Sequence, residues 1–195
     1  MPQRPKVLIV GDSISMGYTP HAAAAAADVL DLVRHDGNGG DSSNVLAHLG
    51  EWLETFQDAG LVHVNCGLHD IKRSRPGGDY QVPIEKYREN LRAIADMLTS
   101  AGRSVVWATT TPVIDSRHAA RGADFDRYQQ DVTAYNNVAK DVMSQAGAGI
   151  DDLHAVVVSE GVESCVGPDG VHMTDAGYRL LGRAVADACR RAVGL

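Results

Sequence analysis

Short apolar runs alternate along the chain with segments of helical periodicity, and this alternation constrains the fold more than any other feature. Residues 7–10, 61–66 and 105–108 form mainly apolar runs with many β-branched side chains, and weaker runs lie at 29–33 and near residue 150. Such runs are typical of strands that are buried on both faces. Strands that alternate with helices predict an α/β domain with a parallel sheet.

Between these runs, apolar residues recur at intervals of three and four, as they do on one face of a helix. The six alanines at 22–27 also favour a helix, since alanine has the best helix propensity. Asp41 and the two serines after it are good capping residues for the next helix, and the last helix is expected to begin near Thr174. The periodic sets are Leu46, Leu49, Leu53 and Phe56; Ile84, Tyr87, Leu91, Ile94 and Leu98; Phe125, Tyr128, Val132, Tyr135, Ala139 and Val142; and Leu181, Val185, Ala188 and Ala192.

Length and composition suit one soluble domain spanning residues 1–195, because 44% of the residues are hydrophobic and 22% are charged. The formal net charge of −7 argues against nucleic acid or an anionic membrane as a partner, since such binders present a basic face. The first apolar run is too short for a signal peptide, and no stretch approaches the roughly 18 residues of a membrane span. We therefore expect a cytoplasmic location; the oligomeric state stays open.

Four polar or glycine-rich clusters fall where the predicted strands end. They are residues 11–13, 39–41, 67–70 and 109–111. In an open parallel sheet, ligands bind beyond the carboxyl ends of the strands, near the point where the strand order reverses. The clusters are therefore expected to build one site.

Ser13 follows the first strand by two residues, and a serine hydroxyl becomes a good nucleophile only when a base removes its proton. Among the eight histidines, His172 is distinguished by Asp169, three residues before it, with Gly170 between them to ease a turn. The carboxylate can then fix the imidazole tautomer and stabilise the imidazolium. Each motif alone is more typical of a capped loop or a strand end. Their combination with the glycine clusters favours a Ser-His-Asp hydrolase.

Acyl transfer also requires hydrogen-bond donors for the developing oxyanion. The backbone N–H of Ser13 is one candidate. Gly40 is a second, because a residue without a side chain lets its N–H approach a substrate closely. His69 is a third, because a neutral imidazole donates one hydrogen bond.

With these residues in place, the chain resembles the SGNH (GDSL-like) hydrolases from residue 11 to residue 172. Residues 11–15, Gly-Asp-Ser-Ile-Ser, resemble the first family block, with Ser13 as the nucleophile. Residues 37–40, Gly-Asn-Gly-Gly, resemble the second, with Gly40 as the oxyanion glycine. Residues 169–172, Asp-Gly-Val-His, resemble the last block. The resemblance implies a flavodoxin-like three-layer α/β/α sandwich with about five parallel strands in the order 2-1-3-4-5.

The third family block departs from the pattern. The family has Gly-x-Asn-Asp, with the Asn side chain in the oxyanion hole, whereas this chain has Gly-Leu-His-Asp at residues 67–70. His69 can still donate to the oxyanion. Alternatively it binds a substrate group, or the hole depends on two backbone donors alone. Loss of one side-chain donor typically costs about 3 kcal/mol of transition-state stabilisation, so kinetics can distinguish these roles.

Further polar residues near these blocks are candidates for substrate binding. They are Asp12, Asp70, Lys72, Arg73 and His118. Lys72 and Arg73, with Arg75, could meet an anionic substrate group, although a solvated loop is the simpler explanation for these cations. The segment 72–83 is expected to be a long loop, and Arg117 and His118 are expected in the loop after Pro112.

Other chemistries find little support in the sequence. The three cysteines match no zinc motif, no pair of histidines shares a helix face, and no metal or other cofactor is expected. Neither the Gly-x-Ser-x-Gly elbow nor a Walker phosphate loop is present around the first strand.

The sequence therefore predicts a carboxylic-ester hydrolase that forms an acyl-enzyme on a small-molecule ester. The low aromatic content of 5% favours a short acyl group, such as acetyl on a carbohydrate or another small polar substrate. Acyltransferase, thioesterase and lysophospholipase activities are alternatives on the same fold. A non-catalytic ligand-binding module is an alternative of another class.

Overall fold

Five parallel strands form the main sheet of the described residues. The structure, a computed structural model, describes residues 4–75 and 77–195, so residue 76 of the predicted 72–83 loop lies outside it. In chain order the strands are β1 (Lys6–Val10), β2 (Asp31–Arg34), β3 (Leu61–Val64), β4 (Arg73–Ser74), β5 (Ser104–Ala108), β6 (Phe125–Asp126) and β7 (Gly149–Asp151). The main sheet has the order β2-β1-β3-β5-β7, and β4 pairs antiparallel with β6. The predicted parallel sheet with order 2-1-3-4-5 is confirmed.

Helices cover both faces of this sheet. In chain order they are α1 (Ser13–Ala26), α2 (Ser42–Thr55), α3 (Ile84–Ser100), α4 (Asp115–Ala120), α5 (Gln129–Gln145), α6 (Leu153–Glu160), α7 (Val162–Cys165) and α8 (Asp175–Ala192). α1 packs against α8, whereas α3 packs against both α2 and α5. The two helix groups and the sheet make the expected three-layer α/β/α sandwich.

β1 lies at the centre of the core, where its residues 7–10 are completely buried. Leu8 pairs in parallel register with Val33 of β2 and with Val62 of β3. Because the chain passes from β2 at one side of β1 to β3 at the other, the strand order reverses between β1 and β3. The carboxyl ends of β1 and β3 therefore flank the crevice in which ligands of such sheets bind.

The predicted helix from Phe125 to Val142 begins later than its periodicity suggests. Phe125 lies in β6, Tyr128 is the residue before α5, and the helix begins at Gln129. The backbone of β6 instead pairs with β4, and this pairing interrupts the predicted 72–83 loop as well. The spacing of Phe125 and Tyr128 was therefore a coincidence of two aromatic residues outside the helix.

The loop predicted after Pro112 contains the short helix α4, which includes Arg117 and His118. Its start is held by tertiary contact, because the N–H of Ile114 donates to the carbonyl of Gly170 at 2.8 Å. A six-residue helix has little stability of its own, so local sequence carries little sign of it.

Candidate active site

Ser13 is the first residue of α1 and lies two residues beyond Gly11, the glycine that follows β1. Asp12 caps this helix, since its carboxylate accepts the N–H of Ile14 at 2.9 Å. Asp12 is buried, and burial raises the pKa of its carboxyl against the opposing effects of that hydrogen bond and of Arg127. The position of Ser13 places its side chain at the positive end of the α1 dipole.

Ser13, His172 and Asp169 form a continuous chain of hydrogen-bonding groups. Ser13 Oγ lies 3.0 Å from His172 Nε2, and His172 Nδ1 lies 2.6 Å from Asp169 Oδ2. Asp169 Oδ1 also accepts the N–H groups of Val171 and His172. Burial acts to raise the pKa of Asp169, but these hydrogen bonds outweigh it and hold the pKa below its usual value. Asp169 is therefore an ionised acceptor that fixes the proton on His172 Nδ1.

The turn that carries Asp169 and His172 is closely constrained. At its base the N–H of Gly167 donates to the carbonyl of His172 at 2.7 Å. Gly170 has φ +75, and a Cβ there would lie 2.5 Å from the backbone nitrogen of His118. Only glycine suits both the backbone conformation and the contact with α4. The turn thus docks against α4 and holds the imidazole beside Ser13.

The loop before α2 brings Gly40 towards the end of β1. The N–H of Gly39 donates to the carbonyl of Gly11 at 3.0 Å, and a Cβ on Gly39 would lie 2.7 Å from that oxygen. Gly40 has φ +66, and its N–H donates to Asn38 Oδ1 at 2.9 Å. The acceptor of the Gly40 N–H is thus a side-chain oxygen, which a substrate oxygen can replace.

His69 follows β3 and lies beside the same cleft, with its Nδ1 3.0 Å from Lys72 Nζ. Burial, followed by the charges of Lys72 and Arg127, lowers the pKa of His69 to about 4. The imidazole is therefore neutral at neutral pH. An ammonium group only donates hydrogen bonds, so Nδ1 accepts and the ring proton lies on Nε2.

Asp70, the next residue, is turned into the protein rather than into the cleft. Its carboxylate accepts the Ser42 backbone N–H at 3.0 Å and the Ser42 hydroxyl, which joins it to the start of α2. Burial raises the pKa of Asp70 to about 7. The contact ties the His69 segment to the loop that carries Gly40.

The cleft around Ser13 has a volume of about 260 Å³. Its lining residues are Ser13, Asn38, Leu68, His69, Lys72, Arg121, Phe125, Arg127, Val171 and His172. Four residues that the sequence predicted for the site therefore line this cleft: Ser13, His69, Lys72 and His172.

Of the five residues considered for substrate binding, only Lys72 lines the cleft; Asp12 and Asp70 are buried, and the other two also lie elsewhere. Arg73 forms an ion pair with Asp131 at 2.7 Å and also contacts Tyr80. His118 is buried with its ring 5.6 Å from that of Phe125. Neither of the two lines the cleft.

Among the cleft residues that were not predicted for the site are Asn38, Arg121, Phe125 and Arg127. Arg121 and Arg127 lie between α4 and α5, in a segment whose apolar spacing resembled the start of a helix. Asn38 was included in the second block without a role of its own. The pairing of β4 with β6 brings Phe125 and Arg127 towards Lys72, and no local sequence pattern marks that pairing.

Comparison with known proteins agrees with this arrangement. The GDSL-like lipase/acylhydrolase family matches residues 9–180, so the chain belongs to this family and is an ester hydrolase. No curated protein sequence matches the chain. In the part of the chain that the structure describes, none of the helices combines the length and apolar character needed to cross a bilayer.

Several solved structures share the fold at low sequence identity. A lipase/acylhydrolase from Enterococcus faecalis has 20% identity and a TM-score of 0.79, with 96% of each chain covered. The acetyl xylan esterase AlAXEase has 17% identity and a TM-score of 0.75, with 94% of this chain and 98% of that chain covered. Axe2, an acetylxylan esterase from Geobacillus stearothermophilus, has 18% identity and a TM-score of 0.75, with 98% and 94% covered.

Proposed function

We propose that the protein hydrolyses carboxylic esters of small molecules through an acyl-enzyme on Ser13. The observation that carries this proposal is the hydrogen-bonded chain from Ser13 Oγ through His172 to Asp169, with distances of 3.0 and 2.6 Å. A nucleophile, a base within hydrogen-bonding distance and a carboxylate that orients the base are the three parts that serine acyl transfer requires.

The reaction proceeds in two acyl-transfer steps. His172 Nε2 takes the hydroxyl proton of Ser13 as Oγ bonds to the ester carbonyl carbon, and the carbonyl π electrons move to oxygen. The tetrahedral intermediate collapses when His172 gives its proton to the departing alcohol, which leaves Ser13 acylated. Water then attacks the acyl carbon by the same proton transfers, and the acid and free Ser13 are formed. Asp169 holds the imidazole orientation and balances the imidazolium charge throughout.

Three groups are proposed to hold the oxyanion: the N–H groups of Ser13 and Gly40, and Nε2–H of His69. The neutral state of His69 and its contact with Lys72 support this role, because they put the ring proton on the nitrogen that Lys72 does not occupy. The substrate oxygen replaces Asn38 Oδ1 as the acceptor of the Gly40 N–H. Lys72 acts through His69 here and is a positioning residue.

A short acyl group fits the site best. The cleft volume of about 260 Å³, with polar side chains at most of its lining positions, suits an acetyl or similar group on a small polar alcohol such as a carbohydrate. Two structures of the same fold are named as acetyl xylan esterases, which agrees with a short acyl group. We expect activity to fall as the acyl chain lengthens from acetyl to octanoyl.

The test compares Ser13→Ala with Ser159→Ala, which removes an exposed hydroxyl from α6. With p-nitrophenyl acetate, we expect Ser13→Ala to have no turnover above the background rate and Ser159→Ala to match the parent protein. Circular dichroism checks that both variants are folded. Parent-like turnover by folded Ser13→Ala would end the proposal.

A further inference from the structure

Three cationic side chains line the cleft around Ser13, although the chain as a whole has a formal net charge of −7. They are Lys72, Arg121 and Arg127. No carboxylate belongs to the lining of this cleft within the described residues. The local charge of the site is therefore opposite in sign to that of the protein.

Arg127 is the most unusual of the three, because its side chain is only 5% exposed. Its Nε donates to the carbonyl of Leu68 at 2.7 Å, and its guanidinium carbon lies 4.9 Å from the centre of the Phe125 ring. Within residues 4–75 and 77–195 Arg127 forms no direct ion pair, although the nearby carboxylates of Asp12 and Asp169 favour its charged form. Burial lowers the pKa of Arg127 to about 10, so the group is still charged at neutral pH.

Arginines just outside the cleft are arranged differently. Arg73 pairs with Asp131, Arg75 with Asp126 and Arg117 with Glu163, each within 2.7 Å. A buried charge without a partner is costly, and proteins normally supply one. Among these arginines the ones remote from Ser13 have carboxylates in direct contact, whereas the buried one beside Ser13 has none in the described residues.

The other two cations are only partly compensated. Lys72 Nζ contacts His69 Nδ1 and lies 5.0 Å from the centre of the Phe125 ring. Arg121 Nη1 lies 3.7 Å from Asp169 Oδ2, but that carboxylate oxygen already accepts His172 at 2.6 Å. Donors of all three cations therefore remain available to an anion beside Ser13.

We propose that the natural ester carries an anionic group, a carboxylate or a phosphate, which Arg127 binds with help from Lys72 and Arg121. This assignment rests on the proposed ester hydrolysis at Ser13 and specifies its substrate class. The planar fork of a guanidinium suits a carboxylate or a phosphate, and the ring of Phe125 forms an apolar wall beside it. The anionic group belongs either to the acyl half of the ester or to the alcohol half.

The experiment uses two pairs of esters that differ mainly in charge. Monoethyl glutarate and ethyl valerate place the anion in the acyl half, whereas 4-acetoxybenzoate and 4-acetoxybenzamide place it in the alcohol half. We expect the parent protein to favour the anionic member of at least one pair by about tenfold or more in kcat/KM, the effect of one charge-assisted hydrogen bond. The pair that shows the preference identifies the half that carries the anion.

Arg127→Gln should reduce this anionic-to-neutral ratio to near one. The matched control is Arg92→Gln, which removes the same charge from an exposed position of α3 and should keep the parent ratio. Arg127→Lys keeps the charge and should retain part of the preference. If Arg127→Gln does not fold, Arg127→Lys decides the matter, because an ammonium cannot replace the guanidinium fork and should lower the anionic-to-neutral ratio.

A parent protein that hydrolyses both members of each pair at equal rates would overturn this inference and leave ester hydrolysis intact. An Arg127→Gln variant that loses activity equally on both members would also overturn it, since the cation would then serve the reaction of every ester. Failure of the parent protein to hydrolyse any of the four esters would count against both proposals.

Discussion

Removal of the His69 side chain tests the one departure of this site from the family pattern. In His69→Ala, the proposed oxyanion loses its only side-chain donor, and the backbone donors of Ser13 and Gly40 remain. Loss of one such donor costs about 3 kcal/mol, so we expect kcat to fall by about 10²- to 10³-fold. The pKa of His69 lies at about 4, so the donor is neutral and the loss should be the same at every pH from 6 to 8.

The contact with Lys72 sharpens this prediction. Lys72→Met removes the ammonium donor that holds the ring proton of His69 on Nε2, and a hydrogen bond from a charged donor is worth about 1.5–3 kcal/mol, so we expect a loss of about tenfold or more. His69→Asn restores a side-chain amide donor and should recover part of the activity lost in His69→Ala. His48→Ala, an exposed histidine on α2, is the matched control and should be parent-like.

The assay is steady-state hydrolysis of p-nitrophenyl acetate, with kcat and KM determined separately at pH 6, 7 and 8. The donor acts on charge that develops in the transition state, so the effect should lie in kcat rather than in KM. A folded His69→Ala variant within about threefold of the parent kcat would refute the reasoning, because a lost oxyanion donor costs far more. The hole would then depend on backbone donors alone.

Other substitutions test the turn and the buried carboxyl. Asp169→Asn should leave the fold intact but lower kcat by about 10³- to 10⁴-fold, since the imidazole loses its tautomer control; p-nitrophenyl acetate hydrolysis measures it. Gly170→Ala places a Cβ 2.5 Å from the backbone of His118 at φ +75 and should cost more than about 2 kcal/mol of unfolding free energy, whereas Gly50→Ala, with open space around it, should cost nothing; urea unfolding distinguishes them. Burial raises the pKa of Asp70 from 3.8 to about 7, so between these pH values the folded state keeps a proton that the unfolded chain has lost. The contribution of Asp70 to the free energy of unfolding therefore falls as pH rises from about 4 to 7. Asp70→Asn should remove that decline relative to the parent in urea unfolding measured across the same pH range, and parallel curves for the two proteins would contradict the assignment.

The parallel sheet could be predicted from the sequence because its central strands are short, apolar and buried on both faces, whereas the strand order followed only from the resemblance to the SGNH hydrolases. The residues of β1 at 7–10 are all fully buried, which leaves a continuous apolar run with no ambiguity of face. The short helices α4, α6 and α7 were not predicted, because tertiary contacts rather than local propensity stabilise helices of this length. The start of α5 was misplaced because Phe125 pairs in a sheet with β4.

The site shows the same division between local and tertiary information. Ser13, Gly40 and His172 lie in short motifs whose backbone requirements are local: a helix cap, a glycine at positive φ and a glycine turn. Lys72 and His69 are three residues apart, so a turn alone could have suggested their contact. The Lys72 ammonium group also packs against the ring of Phe125, and the local sequence does not indicate that packing. The burial of Arg127 against the carbonyl of Leu68 joins segments 59 residues apart, and no sequence pattern indicates it.

The most direct test of the account is covalent labelling of the native protein with a fluorophosphonate, followed by peptide mass spectrometry. The probe phosphonylates a serine only where a neighbouring base activates the hydroxyl. We expect one adduct per chain, located on Ser13, with labelling slowed strongly in Asp169→Asn and abolished when the protein is unfolded in urea before the probe is added. Absence of an adduct on Ser13 in folded protein, or labelling of another serine at the same rate, would contradict the central claim that Ser13 is the activated nucleophile.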